Sequence, residues 1–123
     1  MAALTKNRNT PERSAELRQF VAETTIYCGS IVALNNDGKA VAATDTNGLA
    51  ILGIALTGAK KGNIVTVKRG CFRVAKNEDI TPSAIGKNAY ILDDQTVGLT
   101  STNSIVAGRI FDLDTKGVWI LFE

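Results

Sequence analysis

The sequence predicts an all-β (mainly β) fold: a small β-barrel or sandwich of about eight or nine short strands behind an extended N-terminal arm. Short apolar runs recur along the chain, and Gly, Asn and Asp separate them at roughly 8–12-residue intervals. No long stretch has the apolar spacing of a helix. With 123 residues, 45% of them apolar, the chain is long enough for one domain with a substantial core.

The chain divides near residue 22 into a polar arm, residues 1–22, and a β-rich body, residues 23–123. The arm holds the whole net charge of +2, because the body has ten basic and ten acidic residues. The charged residues of the arm are Lys6, Arg8, Arg13 and Arg18 against Glu12 and Glu16. Such a small excess, away from the body, is weak support for nucleic-acid binding.

The arm contains one candidate helix start. Thr10 is a capping residue, Pro11 suits the first helical position, and Glu12 favours the positive end of a helix dipole. Two alternatives stay open for the following residues: a helix of about two to three turns, or an extended segment. In either case we expect the body to fold without residues 1–21, because the strongest apolar runs lie beyond them.

The first half of the body is predicted to contain four strands. Residues 24–27 are β-prone, and the run 31–34 is closed by the turn-forming sequence NNDG, after which residues 40–43 return as a hairpin. Residues 51–56 form the next run, and Gly53 inside it indicates a bulge or a close approach of neighbouring backbone.

The second half continues the pattern. The loop 58–62 precedes a strand at 64–69, and alternation around Arg73 indicates a strand with one wet face. One helical turn is expected before Gly86. Two hairpins complete the chain, the first formed by residues 89–92 with 96–100 and the second by residues 105–111 with 118–122.

A weak internal echo links the two halves. Gly53 and Gly108 each lie inside an apolar run, and each is followed nine residues later by another glycine, Gly62 or Gly117, before a β run. Two similar halves closing one barrel would explain this spacing. A chance similarity between hairpins, which all need turn glycines, would also explain it.

Catalysis is not expected, and neither a metal nor a cofactor is predicted. The chain has no histidine, which removes the commonest general base and metal ligand. The acidic pairs Asp93-Asp94 and Asp112 with Asp114 lie at predicted turns, where Asp is common for backbone reasons. The loop 58–62 lacks the spacing and following helix of a phosphate-binding loop. A small enzyme with an acidic site therefore remains only an alternative.

Cys28 and Cys71 are interpreted as reduced, partly buried thiols, although a fold that brings them together would allow a disulfide. No apolar run approaches the about 20 residues of a membrane span, and the first residues lack the apolar core of a signal peptide, so we expect no membrane association. Strand aromatics such as Tyr90 and Trp119 leave one further alternative, a small nucleic-acid-binding β-barrel.

Six segments together resemble small capsid cement (head decoration) proteins of tailed phages and prophages, in the same order and over nearly the whole chain. They are 4–13 (LTKNRNTPER), 25–34 (TIYCGSIVAL), 52–55 (LGIA), 65–72 (VTVKRGCF), 90–97 (YILDDQTV) and 105–109 (IVAGR). The resemblance implies a compact barrel-like body with a projecting arm, bound to the major capsid protein and self-associated as a homotrimer. It also implies location on the virion surface, reached from the host cytoplasm, and carries over no catalytic residue.

An arm that becomes ordered on a capsid loses conformational entropy, so its anchors should be apolar or bidentate side chains. The candidates for capsid binding are Leu4, Arg8, Arg13, Leu17 and Phe20.

Overall fold

Ten strands and one 3-10 turn make up the fold of the computed structural model, which describes residues 2–11 and 15–123. The all-β prediction is confirmed. The strands are β1 Leu17–Val21, β2 Ile31–Leu34, β3 Ala40–Ala42, β4 Ala50–Ala55, β5 Ile64–Lys68, β6 Gly70–Lys76, β7 Asn88–Ile91, β8 Thr96–Gly98, β9 Val106–Asp114 and β10 Gly117–Phe122. The expected helical turn before Gly86 is the 3-10 turn Pro82–Ala84.

The strands form two five-stranded units with the same order. Unit 1, β1 to β5, is a sheet of order β1-β5-β4-β2-β3, and unit 2, β6 to β10, is a closed barrel of order β6-β10-β9-β7-β8. A parallel pairing of β6 with β8 closes unit 2. The corresponding closure in unit 1 is a single parallel bridge between Ala22 and Ala40. The echo thus reflects two similar halves, but each half curves around its own core, and the interpretation as one shared barrel is wrong.

The glycines of the echo are only partly equivalent. Gly53 pairs with Val32 and Gly108 with Ala89, and the register shifts by one residue immediately beyond each pair. The two β-bulges therefore occupy equivalent positions in the two units. Gly62 and Gly117 do not correspond, since Gly62 lies in the turn before β5 and Gly117 is the first residue of β10.

Two apolar clusters form the core. One fills unit 1 and includes Val32, Val65 and Val67. The other fills unit 2 and also takes in Ile31 and Ile54, which lie on the other face of β2 and β4. The backbone N–H of Ile31 donates to the carbonyl of Asp94 at 2.7 Å, and this bond joins the two units directly.

Two predicted segments differ from the structure. Residues 24–27 form only an isolated bridge between Ile26 and Ala59 instead of a strand, and Ile26 is buried in the unit 1 cluster. Residues 17–21, inside the predicted arm, are strand β1 and pair with β5 along its whole length, so they are neither helical nor a free arm. Glu12, proposed for the helix start, and Arg13 lie outside the described residues.

Candidate interaction surface

An exposed apolar surface lies on one side of β1 and β5. The antiparallel register sets Leu17 opposite Lys68 and Val21 opposite Ile64, so alternate residues share this side. Leu17 and Ile64 are each 52% exposed. Leu56 extends the surface, because its N–H donates to the carbonyl of Thr66 at 2.9 Å. We call Leu17, Val21, Leu56 and Ile64 the apolar outer face; the polar residues Gln19, Thr66 and Lys68 lie among them on the same side. Exposed apolar side chains on one face of a sheet make this side a candidate interaction surface.

The opposite side of β1 belongs to the body. Phe20 is half-buried and packs against the core cluster of unit 1. The guanidinium of Arg18 lies 5.4 Å from the centre of the Phe20 ring, within the range of a cation–π contact. Phe20 therefore serves the fold of unit 1.

The five candidate arm residues thus occupy different places. Leu17 and Phe20 lie on opposite sides of β1, whereas Leu4 and Arg8 belong to the segment 2–11, which forms no helix or strand and whose side chains are all exposed. Arg13 lies outside the described residues. The structure does not bring the described candidates together as one site. Leu4 and Arg8 lie in an exposed segment outside the two units, as expected of arm residues.

Unit 2 carries a polar cluster on its corresponding side. The Trp119 indole N–H donates to Asp114 Oδ2 at 3.0 Å, and Arg73 Nη1 lies 3.4 Å from the same oxygen. The Arg73 guanidinium is also 5.7 Å from the centre of the Trp119 ring. The pKa of Asp114 is lowered because its carboxylate accepts hydrogen bonds. The backbone N–H of Lys116 makes the largest contribution, and the indole N–H of Trp119 makes the next largest.

The apolar outer face and this cluster stand at equivalent places. Gln19 pairs with Thr66 in unit 1, and Arg73 pairs with Trp119 in unit 2, each between the first and last strands of its unit. Gln19 Nε2 donates to Thr66 Oγ1 at 3.3 Å. Sequence reasoning placed Trp119 on a strand and Asp114 in a turn, and missed their contact. The signal was their five-residue separation across the tight turn before Gly117.

The acidic residues singled out in the sequence support turns. Asp93 Oδ1 accepts the N–H of Gln95 at 2.9 Å, and Asp114 Oδ1 accepts those of Lys116 and Gly117 at 2.8 and 3.0 Å. Within residues 2–11 and 15–123, no three Cys, Asp or Glu side chains cluster as metal ligands would.

Both cysteines are free thiols. The expectation that they are partly buried is wrong, because Cys28 and Cys71 lie exposed at the surface. Cys28 Sγ donates to the carbonyl of Leu56 at 3.2 Å. Partial desolvation, with a smaller contribution from the Asp112 carboxylate, raises the pKa of Cys71.

An open cleft of about 480 Å³ lies beside β7 and β9 on unit 2. Its lining includes the basic residues Lys87 and Arg109 together with Tyr90. An aromatic ring next to basic side chains is the feature that the nucleic-acid-binding alternative would require. Two basic side chains in an open cleft give a weak electrostatic footprint compared with nucleic-acid-binding domains.

No helix in the described part of the chain has the length and apolar character needed to cross a bilayer. No protein-family model matches the sequence. No curated protein matches it either. Among solved structures, the chain is similar to the head fiber gp8.5 N base of bacteriophage phi29, with a TM-score of 0.52 and 19% identity. The similarity covers 87% of this chain and 92% of the phage chain, so the two share their overall fold.

Proposed function

We propose that this protein is a non-catalytic structural component of a phage virion that binds the assembled capsid as a cement, or decoration, protein. The observation that carries the proposal is the fold shared with the phi29 head fiber base over 87% of the chain. The resemblance of the sequence to capsid cement proteins supports the same role. The absence of histidine from the chain also favours a structural role over catalysis.

A cement protein works by binding one state of a lattice. A capsid under pressure from packed DNA is held by many weak joints, and a protein that binds only the assembled shell stabilises it by mass action. Self-association multiplies the contacts of each bound particle and raises its effective affinity. A rigid two-unit β body suits this task, because little of it has to become ordered on binding.

The segment 2–11 is the proposed capsid anchor. It is exposed throughout, and Leu4, Lys6 and Arg8 give it one apolar and two basic side chains. Fully extended, these ten residues span at most about 35 Å. The major capsid protein is the proposed partner, on the outer surface of the virion, with the host cytoplasm as the site before assembly.

The test is co-sedimentation with shells of the major capsid protein encoded in the same genome. We expect the chain to sediment with expanded shells, to leave unexpanded shells undecorated, and to raise the temperature at which expanded shells disassemble. A chain that stays at the top of the gradient with both kinds of shell, leaving their stability unchanged, would refute the proposal.

A second candidate is the base of a head fiber, because the similar phi29 protein carries that description. A reconstruction of decorated shells separates the two roles. Density at all equivalent positions of the lattice supports the cement role, whereas density at a few positions that continues into a projection supports a fiber base.

A further inference from the structure

The loop between β3 and β4 carries an inference about the chemistry of the chain that is independent of the proposed function. We propose that Asn47 is a site of spontaneous covalent modification. The backbone nitrogen of Gly48 displaces the side-chain amide of Asn47, a carboxylate is left at position 47, and the hydrogen-bonded joint that Asp45 makes between the two units is weakened.

Asp45 ties this loop of unit 1 to unit 2. Its Oδ2 accepts the backbone N–H of Thr102 at 2.9 Å, and its Oδ1 accepts the backbone N–H of Asn103 at 2.9 Å. The side-chain amide of Asn103 also donates to the carbonyl of Asp45 at 2.8 Å. Hydrogen bonds to a carboxylate are stronger than those between neutral groups. Because residues 102 and 103 lie between β8 and β9, these bonds join a loop of unit 1 to a loop of unit 2.

The turn that follows Asp45 contains Asn47 and Gly48, and both residues are exposed. Gly48 has a φ of +91°, in the left-handed region, where glycine is favoured over residues that carry a Cβ atom. The conformation of the turn therefore favours a glycine directly after Asn47. Because this glycine has no side chain, nothing on it crowds its nitrogen as that nitrogen approaches the side-chain carbonyl carbon of Asn47.

The two reacting groups are not held by other interactions. Within residues 2–11 and 15–123, neither the N–H of Gly48 nor the side-chain amide of Asn47 takes part in a hydrogen bond. No such bond has to break before they react, and water reaches both groups because the turn is exposed.

Other asparagines are less suited to the reaction. Asn47 forms the single Asn-Gly pair of the sequence, so every other asparagine is followed by a residue with a side chain. The backbone N–H and side-chain amide of Asn103 are both bonded to Asp45. The Oδ1 of Asn35 accepts two backbone N–H groups of its own turn. We therefore expect modification first at Asn47.

The reaction needs water and no other reagent. The backbone nitrogen of Gly48 forms a bond to Cγ of Asn47, the side-chain nitrogen leaves as ammonia with the proton of the attacking nitrogen, and a cyclic succinimide remains. Water then opens the ring at one of its two carbonyl groups. One opening gives an ordinary aspartyl residue at position 47, and the other gives an isoaspartyl residue, in which the main chain passes through Cβ and Cγ. No atom is oxidised or reduced.

Either product changes the loop that carries Asp45. The new carboxylate is ionised at neutral pH and repels the Asp45 carboxylate, which lies two residues earlier in the chain. The isoaspartyl product also adds one carbon atom to the main chain immediately before Gly48, so the turn loses its original geometry. Both effects weaken the bonds from Thr102 and Asn103 to Asp45, and the two N–H groups should then exchange with solvent more readily.

The first test is peptide mapping by mass spectrometry after the full chain has been incubated in mildly alkaline buffer. We expect a mass gain of about 1 Da in the peptide that contains Asn47, divided between aspartyl and isoaspartyl forms. Asn47→Gln is the matched control and should gain no mass there, because its longer side chain would have to close a larger ring.

A synthetic peptide of residues 44–50 provides the rate for an unstructured chain. A wild-type chain that stays unmodified while this peptide is fully converted would overturn the proposal. Modification that occurs first at another asparagine would also overturn it, because the assignment depends on Gly48 and on the unbonded amide of Asn47.

Hydrogen exchange measured by NMR tests the effect on the joint. In modified chains, separated from unmodified ones by ion exchange, the N–H groups of Thr102 and Asn103 should exchange several times faster than in the unmodified chain. Asp45→Ala removes both acceptor oxygens and gives the exchange of an open joint, whereas Asn47→Gln incubated in the same way should retain the slow exchange. Unchanged exchange at both residues of the modified chain would refute the predicted weakening of the joint.

Discussion

Gly53 and Gly108 occupy the same position in the two units, and in both the space of a Cβ atom is taken by a backbone carbonyl. A Cβ on Gly53 would overlap the carbonyl oxygen of Lys68, and one on Gly108 would overlap that of Leu121. Lys68 and Leu121 themselves pair with the residues that follow the two glycines. The bulge that bends each unit around its core therefore depends on a missing side chain.

Replacing either glycine should destabilise the fold severely. We expect Gly53→Ala and Gly108→Ala each to lower the free energy of unfolding by about 3–4 kcal/mol, because a backbone carbonyl has to move. In Gly53→Ala, backbone strain adds to this loss, since φ at residue 53 is +146°. Urea unfolding followed by circular dichroism measures the loss.

Gly62→Ala is the matched control for that experiment. Gly62 also has a positive φ, +90°, but a Cβ there meets open space, so only the conformational cost of about 1–2 kcal/mol applies. Equal losses in Gly62→Ala and Gly53→Ala would show that close approach of the strands is not what requires glycine.

The sequence predicted the class and most strands of this fold, but not its division into units. Hairpins at 31–42 and 88–98 were visible because turn residues and apolar runs are local signals. Strand β1 was missed because its side chains do not alternate in polarity: Leu17 and Val21 face solvent, whereas Arg18 and Phe20 face inward. Strands β1 and β5 are separated in sequence by almost the whole of unit 1, so no local sequence pattern predicts their pairing.

The Asp114 cluster should make stability depend on pH. Because the pKa of Asp114 is lower in the folded chain than in the unfolded one, its carboxylate stabilises the fold above the ordinary Asp range near about pH 4. This contribution is lost as the pH falls through the folded-state pKa. Asp114→Ala should therefore destabilise the chain at pH 7, and the loss of stability should become smaller as the pH falls through the folded-state pKa of Asp114. Thermal unfolding at several pH values checks this.

Asp93→Ala separates the Trp119 contact from a general turn effect. Asp93 and Asp114 both accept an N–H two residues later, from Gln95 and Lys116, but only Asp114 also accepts the Trp119 indole. Trp119 is the single tryptophan of the chain, so its fluorescence reports this site alone. Asp114→Ala should change its emission and Asp93→Ala should not; the same change in both would argue against the contact.

The reactivity of Cys71 should respond to Asp112. Desolvation and the Asp112 carboxylate both raise the pKa of Cys71, so less thiolate is present at a given pH. In a Cys28→Ser background, Asp112→Asn should lower that pKa and speed alkylation of Cys71 by iodoacetamide at pH 8. The two rates should become nearly equal at high pH, where Cys71 is ionised with and without the substitution. A slower reaction in Asp112→Asn would contradict this electrostatic effect.

Nucleic-acid binding should be absent at physiological salt. The basic excess lies in residues 1–22, and Arg18 is engaged with Phe20. Only weak association through the basic arm residues is expected at low salt. Fluorescence anisotropy with labelled single- and double-stranded oligonucleotides measures it. Submicromolar binding at physiological salt would overturn this expectation and would make Tyr90 and Arg109 in the unit 2 cleft the first residues to replace.

The candidate surface was less predictable than the fold. Sequence reasoning chose Leu17 because it is apolar in a polar segment, and the structure gives Leu17 a defined place on an exposed face. The same reasoning chose Phe20, which packs in unit 1 instead. Leu17 and Phe20 lie on opposite sides of β1, and the pairing of β1 with β5 determines which side each residue occupies. The paired residues are distant in sequence; Gln19 and Thr66, for example, are 47 positions apart.

Two N-terminal deletions should have opposite consequences for folding. Sequence reasoning expected the body to fold without residues 1–21, but this deletion removes β1, takes Phe20 from the unit 1 cluster and uncovers the edge of β5. We expect that chain to unfold at a markedly lower temperature or to aggregate through β5.

Deleting residues 2–11 removes only exposed residues outside any strand. The unfolding temperature of this shorter deletion should therefore stay within a few degrees of that of the full chain. Under the proposed function the shorter deletion still loses most of its affinity for shells. A folded chain lacking residues 2–11 that decorates shells as tightly as the full chain would exclude this segment as the anchor.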